Sequence, residues 1–376
     1  MLAPLSLYTA LNQAVADGIF PGAVLAVRQG GDRCWIIPAG CLSSDPSSLS
    51  VTSTTIYDLA SLTKPLATVT AVALLVQRGH CRLEDRIDSV LPELEAVPIG
   101  PATVRQLLTH SSGLPGWRAF YEQLSSDAAL PASPDDRANA ACRLLRLMQQ
   151  EALIYKTGER SLYSDLGFML LGIMVERLSG SSLDHFVAEH IARPLKADPF
   201  CYLPRGPEMD TYRTSVIRHT APTEWDPWRG RLLCGEVHDE NAAALGGVAG
   251  HAGLFGTAEA VLAVTGAWLA SYHRESSVLD SNVVREFSTR QAQVPGSSWA
   301  LGWDTPSPPS SSGQYFSSGS FGHLGFTGTS IWIDPVCELE VVLLSNRVCP
   351  TRRNDGIRSF RPVIHDLVYE ECFRRS

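Results

Sequence analysis

An α/β fold, with an antiparallel sheet flanked by helices and a mainly helical region inserted into it, is predicted by three features of this 376-residue sequence. Strand-like runs rich in β-branched residues lie near both ends. The long middle reads as helix and loop. The sequence closes on a helical stretch. A sheet assembled from the two ends, with helices covering it, buries the apolar side of each layer. On this reading residues 1–60 and 240–376 form a discontinuous α/β domain and 61–239 a helical region. A cleft between the two is the expected site.

Each element has its own justification. Residues 5–18 repeat Leu7, Leu11 and Val15 at helical spacing, and Gly18 ends the run. Ala23–Arg28 and Cys34–Pro38 read as strands joined by Gly30-Gly31-Asp32, which is hairpin chemistry. An apolar helix is expected from Ser61 through Ala67, Val69, Val72, Leu74 and Leu75 to a stop at Gly79. Further helices are expected near 103–110, 136–150, 166–179 and 182–192. Strand signal returns at Thr329–Ile333 and Glu338–Leu344 around a turn at Asp334-Pro335, and 355–373 reads as the closing helix. The Pro- and Ser-rich stretch 306–313 predicts a mobile loop.

Composition narrows the function. The formal net charge is -8 and no long basic run occurs, which argues against nucleic acid or an anionic membrane surface as partner. No apolar stretch reaches the roughly 18 residues of a membrane span. Nine cysteines are scattered with no Cys-x-x-Cys pair, so neither a zinc ribbon nor a redox motif is indicated. Scattered thiols, and an N-terminus without a basic and then apolar leader, predict a cytoplasmic protein.

Three short motifs carry chemistry. In Ser61-Leu62-Thr63-Lys64, a helix starting here places Ser61 and Lys64 on one face, one turn apart. A serine hydroxyl needs an adjacent base to act as a nucleophile, and a lysine serves when its proton is loosened. The ordinary alternative is a helix-starting serine with a solvated lysine. In Tyr163-Ser164-Asp165, the tyrosine suits proton relay to a leaving group. Asp165 either orients Lys64, holds substrate or merely caps the helix that follows. In His323-Leu324-Gly325, expected to open a strand from Phe326, the glycine lets a substrate approach backbone amides; the bland reading is a loop histidine.

Other clusters weigh less. His238-Asp239-Glu240-Asn241 resembles metal ligands by composition, but its spacing suits a polar loop beside the cleft. His251 reads as loop packing, and Trp225 and Trp228 as loop aromatics able to line a pocket. Arg347, Arg352 and Arg353 are candidate substrate cations whose default is solvation. Leu245–Gly250 lacks the lysine and hydroxyl of a phosphate loop.

In order and character the three motifs resemble the Ser-x-x-Lys serine hydrolases: class C β-lactamases, D-Ala-D-Ala peptidases and related esterases. Phe20–Val24 looks like that family's first strand, Leu107–Leu114 like its helix-to-loop segment, Ala252–Thr257 like its late helix entry, and Ser345-Asn346-Arg347 like a strand end. The resemblance spans about residues 10 to 370. It implies a β-lactamase/transpeptidase-like fold and acyl transfer to water without metal or organic cofactor. It also implies Ser61 as acylated nucleophile, Lys64 as proton acceptor and Tyr163 as second base and donor to the leaving group. The oxyanion hole would be the backbone amides of Ser61 and Phe326, with Asp165, His323 and Gly325 toward the substrate. Two positions depart from the pattern: Asp165 stands where Asn is usual, and His323 where Lys is usual. A mostly neutral histidine weakens recognition of a carboxylate. The expected substrates are therefore small esters, amides or peptides. A β-lactamase or D-Ala-D-Ala carboxypeptidase is the alternative, and a binding protein that lost turnover is the alternative of another class.

Overall fold

The computed structural model describes residues 2–31, 33–125, 130–206, 212, 214–274 and 278–373. The two ends of the chain meet in one sheet. The helix Leu5–Ala16 leads into β1 (Gly22–Gln29) and β2 (Arg33–Gly40). β3 (Phe321–Leu324), β4 (Ser330–Asp334) and β5 (Leu339–Ser345) follow late in the chain. The sheet order is β2-β1-β5-β4-β3 and every neighbouring pair is antiparallel. β1 joins the ends, running from Ala23 opposite Ser345 to Gln29 opposite Leu339.

Side chains alternate across a strand, so β1 faces two cores. Ala23, Leu25 and Val27 pack with Leu7 and Leu11 of the first helix and with Ile364 and Val368 of the closing helix Ile357–Phe373. Val24 and Ala26 point the other way, into the core shared by the helix Ala258–Tyr272 and the helical layer. Each buried Leu or Val contributes about 1.5–3 kcal/mol. The helical layer is built on Pro134–Gln150 and Asp165–Ser179, the first opened by a capping box between Ser133 and Asp136.

Three local expectations are corrected. The run from Ser61 is not one α-helix. It is a 3-10 turn over Ala60–Leu62, a π-helical turn over Lys64–Val69, and regular α-helix only from Thr70 to Gln77. Pro65 has no N–H to give to the ladder. The Thr70 hydroxyl bonds the Pro65 carbonyl at 3.0 Å, and Thr68 turns its hydroxyl to the Gly250 carbonyl at 2.6 Å. The stretch 306–313 is anchored at one end: Ser312 is buried, and the Ser311 carbonyl lies 2.7 Å from the His365 ring, while Pro308 and Pro309 are exposed. The run Ala60–Gln77 is, after all, long and apolar enough to cross a membrane, but 83% of it is buried within the fold. Finally, His323 and Leu324 end β3, with Gly325 just beyond it, instead of opening a strand, because the chain reverses over Phe326–Thr329 before β4.

Candidate active site

Ser61 is positioned by a short strand and one buried acid. Tyr57–Asp58 pairs with Leu254–Gly256, which pairs in turn with Phe200–Tyr202. The Asp58 carboxylate then accepts the amides of Ala60 at 2.8 Å and of His238 at 2.7 Å. These bonds hold Ala60 at φ +48°, a left-handed conformation that costs a residue with a Cβ. The bend sets Ser61 at the head of the turn, partly open to solvent, while Lys64 points inward with no exposed surface.

Around the Lys64 ammonium stand Ser61 Oγ at 3.1 Å, the His251 carbonyl at 2.9 Å and Asp165 Oδ1 at 2.7 Å, with the Tyr163 hydroxyl also in bonding reach. Burial alone would lower the lysine pKa. The Asp165 carboxylate and the Tyr163 hydroxyl together outweigh it and hold Lys64 above the usual lysine range. Burial pushes the Tyr163 phenol up, against the pull of Lys64. Asp165 does not cap its helix. Ser164 does, through the Gly167 amide, so the Asp165 carboxylate is left for Lys64.

The third motif faces this pair. His323 is buried, and its Nδ1 lies 2.7 Å from the Leu324 carbonyl, which makes Nδ1 the donor and leaves Nε2 without a partner among the described residues. Burial first, then the nearby Lys64, depresses the imidazole to about 3, so it is neutral at pH 7. Gly325 is required by space: a Cβ there would meet Thr329 Oγ1 at 1.9 Å and the Leu59 carbonyl at 2.8 Å. The Thr327 and Thr329 hydroxyls bond the carbonyls of Asp58 and Leu59, tying this turn to the Ser61 loop. Arg361, on the far side, donates to the carbonyls of Gly325 and Thr329.

The other candidates resolve into supporting roles. Asp239 caps the short helix Glu240–Ala244, and its Oδ1 lies 2.7 Å from His251 Nε2. His238 bonds Glu224 and stacks on Phe326 at 5.5 Å. Arg347 is spent on carbonyls, including that of Phe326 at 2.9 Å, and Arg352 is paired with Glu224 and Glu240. Arg353 lies on the exposed surface. Trp228 packs edge-on against Tyr121, whereas Trp225 is largely exposed.

Sequence reasoning missed His110 and Trp299. The His110 ring lies 4.4 Å from Trp299 and 4.7 Å from Tyr163, and its Nδ1 accepts the Ser164 amide at 3.0 Å. Trp299 in turn lies 5.7 Å from both Tyr163 and His323. The Thr109-His110-Ser111 segment was the available signal, but nothing local ties it to Tyr163. A cavity of about 580 Å³ lies apart from these groups, lined by Leu145, Met169 and Glu176 between the two long helices.

A serine bonded to a buried lysine, a tyrosine on the same ammonium and a glycine-tight strand end on this α/β frame define a serine hydrolase of the Ser-x-x-Lys kind. The model of the Beta-lactamase family matches residues 9–360, and the chain belongs to that family. The chain is 30% identical over 359 residues to the N-acetylmuramyl-L-alanine amidase of Bacillus subtilis (strain 168), covering 90% of this chain and 79% of that protein. It is 30% identical over 314 residues to a putative D-alanyl-D-alanine carboxypeptidase of Escherichia coli (strain K12), covering 80% and 70%. Among solved structures it is similar to EstCE1, a hydrolase with promiscuous acyltransferase activity. That match has a TM-score of 0.73 at 21% identity, over 96% of this chain and 97% of the other. The fold is thus the β-lactamase/transpeptidase-like one, and the protein is a hydrolase.

Proposed function

We propose that the protein hydrolyses small esters and simple amides through an acyl-enzyme on Ser61, in preference to β-lactams. The observation that carries this reading is the Lys64 ammonium within hydrogen-bond reach of Ser61, Tyr163 and Asp165. Ser61 Oγ attacks the substrate carbonyl, and its proton passes to the Lys64–Tyr163 pair. The amides of Ser61 and Phe326 receive the oxyanion; no acceptor within the described residues takes the Phe326 amide. The bond to the leaving group breaks as Tyr163 protonates it, and water then attacks the acyl-enzyme by the same route in reverse. Residues 1–60 with 240–376 supply the sheet side of the cleft and 61–239 the helical side. A cytoplasmic setting suits the nine free cysteines.

Substrate choice follows from charge. A β-lactam, or a peptide ending in a D-alanine carboxylate, brings an anion into a partly desolvated cleft, where an unpaired charge is costly. His323 is neutral, and Arg347 and Arg352 are engaged elsewhere. A neutral ester does not meet that penalty. The site's contacts are intact, which weighs against a binding protein without turnover. Measuring kcat/KM for p-nitrophenyl butyrate and nitrocefin on one preparation tests the reading. The ester is expected to be the better substrate; faster nitrocefin hydrolysis contradicts it.

A further inference from the structure

The Asp165 carboxylate has two oxygens, and the site uses one. Oδ1 is buried against Lys64 at 2.7 Å. The side chain nevertheless keeps 17% of its surface exposed, and no protein group among the described residues bonds Oδ2. Ser61 Oγ and Asp165 Oδ1 bond the same ammonium, so the carboxylate stands beside the nucleophile, and with Oδ1 buried its exposed surface lies on the rest of the side chain. A carboxylate only accepts hydrogen bonds. Whatever part of a substrate lies against Oδ2 must therefore donate one.

The surrounding charges point the same way. His323 and His110 are both held neutral by burial. Asp239, beside His251, is buried yet held below the usual carboxylate range, because its contacts with His251, the Ala242 amide and Lys64 together outweigh the burial. Arg118, two residues beyond the Gly116 carbonyl that takes the Asp165 amide, is paired with Glu151. Among the described residues Lys64 is the cation bonded to the nucleophile, and it is enclosed. It offers an incoming anion no exposed surface, whereas an incoming cation finds Oδ2.

Resting on the proposed acyl hydrolysis at Ser61, we infer that Asp165 Oδ2 is a specificity determinant that selects esters or amides bearing an ammonium group on the carbon next to the scissile carbonyl. The substrate class is thus amino-acyl esters or amides with a free amine. One charge-assisted hydrogen bond in a half-buried site gives a preference of about tenfold or more.

Three methyl esters of similar size separate the charge states at neutral pH: glycine methyl ester, methyl propanoate and monomethyl malonate. Each kcat/KM is divided by the rate at which hydroxide alone cleaves that ester, which removes intrinsic reactivity. Wild-type protein is expected to favour the glycine ester over methyl propanoate by about tenfold, with the malonate ester last. In Asp165→Asn the ammonium preference should collapse toward unity, whatever happens to the absolute rates. Turnover of all three at equal normalised rates, or a preference that survives in Asp165→Asn, overturns the inference and leaves acyl hydrolysis standing. Turnover of none contradicts the hydrolytic reading as well. The wild-type ratio is informative even if the variant does not fold.

Discussion

The centre of the sheet and the turn behind Ser61 both pack into the core, but they are built by opposite rules. Along β1 every choice agrees: β-branched residues suit the pleat, alternate side chains fill two cores, and backbone groups pair with β2 and β5. At Ser61 several choices conflict. Ala60 is left-handed, the helix begins as a 3-10 and then a π turn, a lysine is wholly buried, and His110 and His323 each leave a ring nitrogen unpartnered among the described residues. The first region stabilises the fold. The second holds reactive groups in place at the expense of stability, as functional sites do.

The largest expected effect separates the two regions outright. Lys64→Ala should lower kcat by between about a hundredfold and ten-thousandfold with little change in KM, since the group acts on a proton rather than on binding. Leu25→Ala, deep in the sheet, should do the reverse: lose about 2–5 kcal/mol of stability while each folded molecule turns over normally. A Lys64→Ala protein with near wild-type turnover breaks the distinction.

The next effect is on pH. Asp165 and Tyr163 together hold Lys64 above the usual lysine range and burial raises Tyr163, so lysine and tyrosine both carry protons at neutral pH. The deprotonated base is then the scarce form, and its fraction grows about tenfold per pH unit. For a neutral ester, log kcat/KM should climb with a slope near one between about pH 6 and 9. A flat profile would show that the proton is taken by some other group.

The same contrast explains what was legible in the sequence. The strand runs at Ala23–Arg28 and Glu338–Leu344 were readable because propensity and packing agree there; the first proved one residue longer at each end and the second shifted by one residue. Ser61, Lys64 and Tyr163 were readable from motif spacing and resemblance. The broken helix at Ser61 was not, since apolar periodicity carries no mark of a π turn forced by Pro65 and Gly250. His110, His251 and Asp239 were not readable as parts of the site, because their contacts span long loops: His110 reaches Ser164, and the His251 carbonyl reaches Lys64. Asp165 was ambiguous for a physical reason, as a carboxylate at a helix start suits capping and ion pairing alike.

A smaller effect sharpens the account of strain. Ala60→Gly removes the Cβ that penalises a left-handed residue, so thermal or urea unfolding should show a gain of about 1 kcal/mol. A loss of stability instead would mean that the Ala60 methyl packs more favourably than its backbone is strained.

The central claim is that Ser61 is the atom acylated, and intact-mass measurement after treatment with a fluorophosphonate probe tests it most directly. One adduct per chain is expected on the wild-type protein, mapped to the peptide containing Ser61, and none on Ser61→Ala. An adduct of equal yield on Ser61→Ala would contradict the assignment and place the nucleophile elsewhere.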